Sequence, residues 1–183
     1  FENSKRAVIA QQKYGVDNPK GWDGYSGDIW AFTACDGPGD FKQVINGRER
    51  EFFSYSARGP GEREDGTIAP TAAAGSICFE PEIVTNCIKA IKAQYGEHIY
   101  GQYGFLDSFN LTLKETENRL LHGKIVPGVG WFNGDYLGID QGPIVIMTEN
   151  LRSNIVWNRM HGEPNIVRGL KVAGFTGGWL DQA

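Results

Sequence analysis

The chain has 183 residues, of which 40% are apolar, and a formal charge of −4, which suits one domain with a substantial core. A pI near 5.4, with no block of Lys or Arg, argues against nucleic acid or an anionic membrane surface as the main partner. No apolar run approaches the roughly 20 residues of a membrane span. No secretory leader is visible either, because Phe1-Glu-Asn-Ser-Lys-Arg-Ala-Val already reads as the inside of a helix; the chain is expected to be a segment of something longer.

In chain order, residues 1 to about 14 form the first expected helix, marked by Phe1, Val8, Ile9 and Tyr14 and stopped by Gly15 and Asp17-Asn18-Pro19. A Gly- and aromatic-rich stretch follows from Gly21 to Gly39. Within it we expect a short helix over 28–34, with Asp36 on the loop beyond it and a turn at Asp36-Gly37-Pro38-Gly39. Asn46-Gly47 separates two extended runs, the strongest short-range signal for a hairpin. Residues 57–74 read as a turn-rich loop leading into the small run Ala72-Ala-Ala-Gly75. The next helix runs from Pro81 to about Tyr95, with a stripe of Ile83, Cys87, Ile88 and Ile91, and Gly96 at its end. An aromatic loop (97–110) and a polar piece (111–121) come before the stretch that organises the chain, Gly130 to Asn150.

That stretch opens as an aromatic loop and turns into a helix. Asp140 is expected as its N-cap and Pro143 just inside its start. Ile144, Met147, Leu151 and Ile155 keep helical spacing as far as Met160. A last helix opens at Pro164, turns Ile166, Val167 and Leu170 inward and ends at Gly174. Three cysteines (Cys35, Cys78, Cys87) form neither a C-x-x-C pair nor a framework, so buried free thiols are the default.

The pattern is helix, long Gly/aromatic/Asp loop, helix. Structureless loops of such length are uncommon and usually functional or disordered, and these are too aromatic for disorder. Motifs for a serine nucleophile elbow, an H-E-x-x-H zinc site or a phosphate loop are absent. The three histidines (His98, His122, His161) hold no ligand spacing to one another, and nothing in the sequence requires a metal or cofactor. Carboxylates in Gly-rich loops are abundant instead: Asp23, Asp28, Asp36, Asp65, Asp107, Asp135 and Asp140. Each alone reads first as a turn former. Several of them converging with Trp22, Trp30 and Trp131 would make a sugar site, because glycoside hydrolysis needs two carboxyl groups flanking the bond.

Four motifs then carry a resemblance: Trp30-Ala-Phe-Thr-Ala-Cys-Asp-Gly-Pro, Asp65-Gly-Thr-Ile-Ala-Pro-Thr-Ala-Ala-Ala-Gly-Ser, Tyr103-Gly-Phe-Leu-Asp-Ser-Phe-Asn and Trp131-Phe-Asn-Gly-Asp-Tyr-Leu-Gly-Ile-Asp-Gln-Gly-Pro. In this order they resemble the bacterial glucoamylase-like domain family, which includes endo-β-1,2-glucanases and a domain of cyclic β-1,2-glucan synthases. The resemblance implies an all-α fold, an (α/α)6 barrel of which residues 1–183 would be the C-terminal part, with the N-terminal part absent. It implies an inverting glycoside hydrolase on β-1,2-glucan, endo-acting, in the periplasm or secreted. An exo-acting glucosidase on another glucan, or a silent carbohydrate-binding domain, are the alternatives. Asp140 is expected as the general base, held ionised by the helix start, with Asp135 and Glu149 as rivals. The general acid is expected in the missing N-terminal half. Trp30, Thr33, Asp36, Gly37, Asp65, Thr71, Phe105, Asp107, Trp131 and Gln141 would line the sugar subsites. Ala31 stands where the family motif is expected to carry Gly.

Overall fold

A computed structural model describes residues 1–182. Helix α1 spans Glu2–Asp17 and ends at Asn18, in the left-handed region at φ 37°. It runs through Gly15, where the sequence suggested a stop. Gly15 is buried there, and a Cβ on it would sit 2.7 Å from the carbonyl of Ser26. That glycine is a close-packing point rather than a terminator.

Residues 28–34 are not a helix. The chain bends at 28–29 and runs irregularly, with Ala31 at φ 124°, into strand β1 (Ala34–Asp36), which also puts Asp36 at a strand end instead of on a loop. The reason lies in Ile29, Trp30, Ala31 and Phe32, which are all buried. A run buried on every side cannot show the one-sided face of a surface helix. Gln11 of α1 takes the place of a neighbouring strand: its Oε1 accepts from the Phe32 N–H at 2.9 Å and its Nε2 donates to the Phe32 carbonyl at 3.1 Å.

The expected hairpin forms, with β2 (Phe41–Ile45) paired to β3 (Arg48–Phe52) from Phe41↔Phe52 to Ile45↔Arg48. Asn46 and Gly47 both take positive φ, 51° and 76°, as a tight two-residue turn demands. Strand β4 (Tyr55–Ala57) returns along β1 in antiparallel register.

Four very short antiparallel strands make the central sheet: β5 (Thr67–Ile68), β8 (Phe109–Asn110), β10 (Gly130–Phe132) and β9 (Lys124–Val126), side by side in that order. A small hairpin, β6 (Tyr100–Gly101) with β7 (Gly104–Phe105), lies between β5 and β8 in the chain. The architecture is therefore mixed, helices with small sheets, and the all-α expectation is corrected. Strands of two or three residues show no alternation long enough to read.

The small-residue run folds as helix α2 (Pro70–Gly75), and α3 (Pro81–Ile99) passes Gly96 to bury Val84, Cys87, Ile91 and Ile99. Trp30, Ile68, Phe109 and Phe132 complete this core. Phe52, Leu113 and Trp131 form a second, smaller cluster, so the piece expected to be polar buries both of its early leucines, Leu111 and Leu113. All three cysteines are buried free thiols.

The expected helix 144–160 is instead two. Helix α4 (Gly138–Ser153) breaks at Asn154, left-handed at φ 56°, and α5 (Ile155–His161) follows. Helix α6 (Pro164–Val172) is capped by Glu163, which accepts from the Asn165 N–H. Ile166, Val167 and Leu170 are only half-buried, because among the described residues α6 packs mainly against α5.

Candidate active site

Helix α4 starts earlier than its sequence suggested. Leu137 is the N-cap, so Asp140 is the third helical residue and makes no capping hydrogen bond, and Pro143 sits inside the helix rather than at its first position. The Asp140 side chain points instead to the ends of the short strands, where it lies within hydrogen-bond reach of the Asp107 carboxyl. One of its oxygens, Oδ2, is buried without a donor among the described residues.

Asp107 is the hub of this region, 1% exposed. Its Oδ2 accepts from the Asp36 N–H at 2.9 Å and from Asn133 Nδ2 at 3.2 Å, and Ser108 Oγ lies 3.4 Å from it. Ser108 Oγ also donates to the Asp36 carbonyl at 2.6 Å. The Asp107 N–H donates to the Asp135 carbonyl at 3.1 Å, and the Asp135 N–H donates to Asn133 Oδ1 at 3.1 Å. One buried residue thus ties β1, the segment before β8 and the loop before α4 together, and so gathers Asp36, Asp135 and Asp140.

Burial pushes the Asp107 carboxyl up to about 6; the Asp36 N–H opposes that rise, and the Asp140 and Asp36 charges add to it. Asp140 is raised as well, first by burial, with Asp107 lowering it and Asp36 raising it. The expected cap is corrected: Asp140 does not close the helix start through its side chain. The N-terminal N–H groups do not reach its side chain, and desolvation disfavours the charged form.

Asp140 borders a cleft of about 590 Å³ together with Trp30, Thr33 and Thr71, so four of the expected site residues do converge. Asp135 borders a second cleft of about 520 Å³ with His98, Tyr100, Lys124 and Asn133. Asp36 is half-exposed, and His122 Nδ1 lies 3.9 Å from its Oδ2. Asp36, His122 and Asp135 each bring a ligand-type atom within 4.8 Å of the others. Solvent-reaching acidic groups often gather without an ion, and acceptors so spaced serve hydroxyl groups equally well.

Other expected site residues turn out to be framework. Asp65 is wholly enclosed and forms a two-point ion pair with Arg58, Nε to Oδ1 and Nη2 to Oδ2, both at 2.8 Å. Its remaining lone pairs accept from the Phe53 and Thr67 N–H groups. Gly37 packs so tightly on Arg58 and the Phe53 carbonyl that a Cβ would overlap both. Trp131 is fully buried and donates through Nε1 to the His122 carbonyl at 2.8 Å, leaving no ring face for a sugar. Trp30 is the mixed case: it borders the cleft of Asp140 but is only 1% exposed, and its Nε1 has no acceptor among the described residues. Phe105 is a core residue whose carbonyl accepts from Gln141 Nε2 at 2.8 Å, pinning the β6–β7 hairpin to α4.

Glu149 does not join the cluster. It lies nine residues beyond Asp140 on α4, roughly 13 Å along the axis, and pairs with Arg152 and Ser153. Arg152 holds its carboxyl below the ordinary value. Sequence reasoning missed His122, Ser108, Asn133 and Arg58. Ser108 and Asn133 lie inside the quoted motifs, each within two residues of a candidate aspartate. Nothing in the sequence around His122 marks it out.

The family model Glycoamylase, described as "Putative glucoamylase", matches residues 1–164. A crystal structure of the same description from Bacteroides uniformis aligns at 36% identity and a TM-score of 0.73, over 96% of this chain and 35% of that one. An endo-β-1,2-glucanase from Chitinophaga pinensis, solved with sophorotriose and glucose, aligns at 33% identity and 0.67, over 90% of this chain and 32% of that one. An exo β-1,2-glucooligosaccharide sophorohydrolase (non-reducing end) of Parabacteroides distasonis is 30% identical over 93% of this chain, which spans only 20% of that protein. The chain therefore covers a fifth to about a third of these relatives, and it belongs to the glucoamylase-like family.

Proposed function

We propose that this chain carries one wall of a glycoside hydrolase active site acting on β-1,2-glucan by inversion. The observation that carries this reading is the convergence of Asp36, Asp135 and Asp140 on a buried Asp107 beside the cleft of Trp30, Thr33 and Thr71. Asp140 is the general base: it borders the cleft and would take a proton from the water that attacks the anomeric carbon. The general acid comes from the rest of the domain, on the opposite side of the bond, at the roughly 6.5–9.5 Å carboxyl separation of inverting enzymes. Asp36 and Asp135 bind sugar hydroxyls.

The complete unit is an (α/α)6 barrel, of which this chain supplies the C-terminal part. In support, Ile139 is 81%, Val145 68% and Val172 84% exposed on its helices, apolar surface of the kind a packed neighbour would cover. The enzyme works in the periplasm or outside the cell, where a polymeric glucan is met. Cleavage is endo, as the likeness to the Chitinophaga pinensis enzyme suggests. The likeness to an exo-acting sophorohydrolase favours a second reading, release of disaccharide from chain ends.

Product analysis decides between them. Linear β-1,2-glucan is incubated with the protein bearing its complete domain, and reducing sugar and product length are followed, with soluble starch as control. A spread of short oligomers indicates endo cleavage, and a single disaccharide indicates the exo reading. Silence on β-1,2-glucan overturns the proposal.

A further inference from the structure

Asp107 is a carboxyl group with no role in the mechanism above, closed off from any sugar and central to the site. Among the described residues it forms no ion pair, unlike Asp65, which Arg58 neutralises. Its Oδ2 is occupied by the Asp36 N–H and Asn133, and the Asp140 carboxyl stands within hydrogen-bond reach of Asp107. Asp140 Oδ2 meanwhile is buried and lacks a donor. Two ionised carboxylates in this position repel each other and leave that oxygen unpaired. One proton between them removes a charge and supplies the missing donor at a single stroke.

We infer that Asp107 and Asp140 share one proton in the working enzyme, and that Asp107 is a positioning residue whose O–H donates to Asp140, orienting it and keeping it the ionised member of the pair. This rests on the reading of Asp140 as the base. The surrounding groups favour the arrangement. Asp36 faces the pair from β1, the Asp135 main-chain carbonyl takes the Asp107 N–H from the loop before α4, and His122 stands beside Asp36. Cys35, next along β1, separates the pair from the Arg58–Asp65 couple. The Asp36 charge nearby makes a second negative charge on the pair costly. The raised position of both carboxyls agrees with this. Because the two groups are coupled, they titrate as a pair in two steps, and neither step belongs to one residue alone.

Asp107→Asn separates this role from a merely structural one. The amide oxygen can still accept from the Asp36 N–H and the amide N–H can still donate to Asp140, but the side chain cannot release a proton. Infrared difference spectra of the protein with its complete domain should show a protonated-carboxyl carbonyl band that titrates around pH 6. That band should vanish in Asp107→Asn. Wild-type hydrolysis of β-1,2-glucan should decline as the pair loses its last proton, and in Asp107→Asn this alkaline limb should move up by at least about one pH unit. A band that titrates unchanged in the variant, or an alkaline limb that stays in place, overturns the inference. Should Asp107→Asn fail to fold, Asp140→Asn must move the titration of the same band to lower pH, because the Asp140 charge adds to the rise of Asp107, and an unmoved titration is equally fatal. Failure to hydrolyse any β-1,2-glucan would sink the functional reading while leaving the band to decide the shared proton.

Discussion

Arg58 and Asp65 meet at two points, 2.8 Å each, with neither side chain exposed to water. Arg58 also donates to the Phe53, Ser56 and Cys35 carbonyls, so it laces β1 and β4 to the segment leading into the central sheet. Asp65 raises the Arg58 guanidinium further above its ordinary value. Removing one partner strands a buried charge, which costs about 3–5 kcal/mol. Asp65→Leu and Arg58→Met should each lower stability by that much in urea unfolding. The double variant should recover a substantial part, and simple additivity would show that the two do not act as a pair.

Asp140→Asn should lower hydrolysis of β-1,2-glucan by about 10²–10⁴-fold while circular dichroism and the thermal midpoint stay near wild type. Glu149→Gln should retain nearly full turnover, because its carboxylate is engaged with Arg152 and Ser153 on the outer part of α4. Steady-state rates of the two variants side by side check this. A dead Glu149→Gln with an active Asp140→Asn would reverse the assignment.

Stability should fall as pH rises through the range in which Asp107 ionises. Its ordinary value is 3.8 and burial pushes it to about 6 in the folded chain. Between these values the folded state holds a proton that the unfolded state has released. By linkage, the stabilisation is complete below the lower value, is lost across the window and is gone above the upper one. Asp107→Asn should flatten this slope. Urea midpoints across the window measure it, and parallel curves for the two proteins would refute the attribution.

Gly37→Ala should destabilise by about 1–3 kcal/mol, since the added methyl collides with Arg58 and the Phe53 carbonyl. The effect belongs to the Arg58–Asp65 couple rather than to sugar binding. The KM of material that remains folded should therefore match wild type. A raised KM with unchanged stability would return Gly37 to the sugar site.

Local chemistry made much of the frame legible. Asn46-Gly47 fixed its hairpin because both residues must take positive φ, and Pro81 and Pro164 marked helix starts because each tolerates the missing N–H there. Residues 28–34 misled because burial on all sides hides the period of a segment. Asp140 stands out in the sequence as a candidate, but its charge state does not, since that depends on what desolvates it. Asp65 and Asp107 look alike in sequence, each a carboxylate in a loop. Only the fold shows that one faces an arginine and the other a second carboxyl.

The stretch from Asp107 to Leu113 carries a last consequence. Asp107 accepts from Asp36, 71 residues away, Asn110 donates to the Asp65 carbonyl across 45, and Thr112 accepts from the Asp23 N–H across 89. Seven residues thus close three long loops, with Phe109 in the core between them. The carboxylate floor cannot open locally without undoing that core, so it belongs to one cooperative unit. Any breathing that admits a glucan must come from the walls around this floor. The Asp36 and Asp23 amides should exchange their protons with solvent together, in a single slow class.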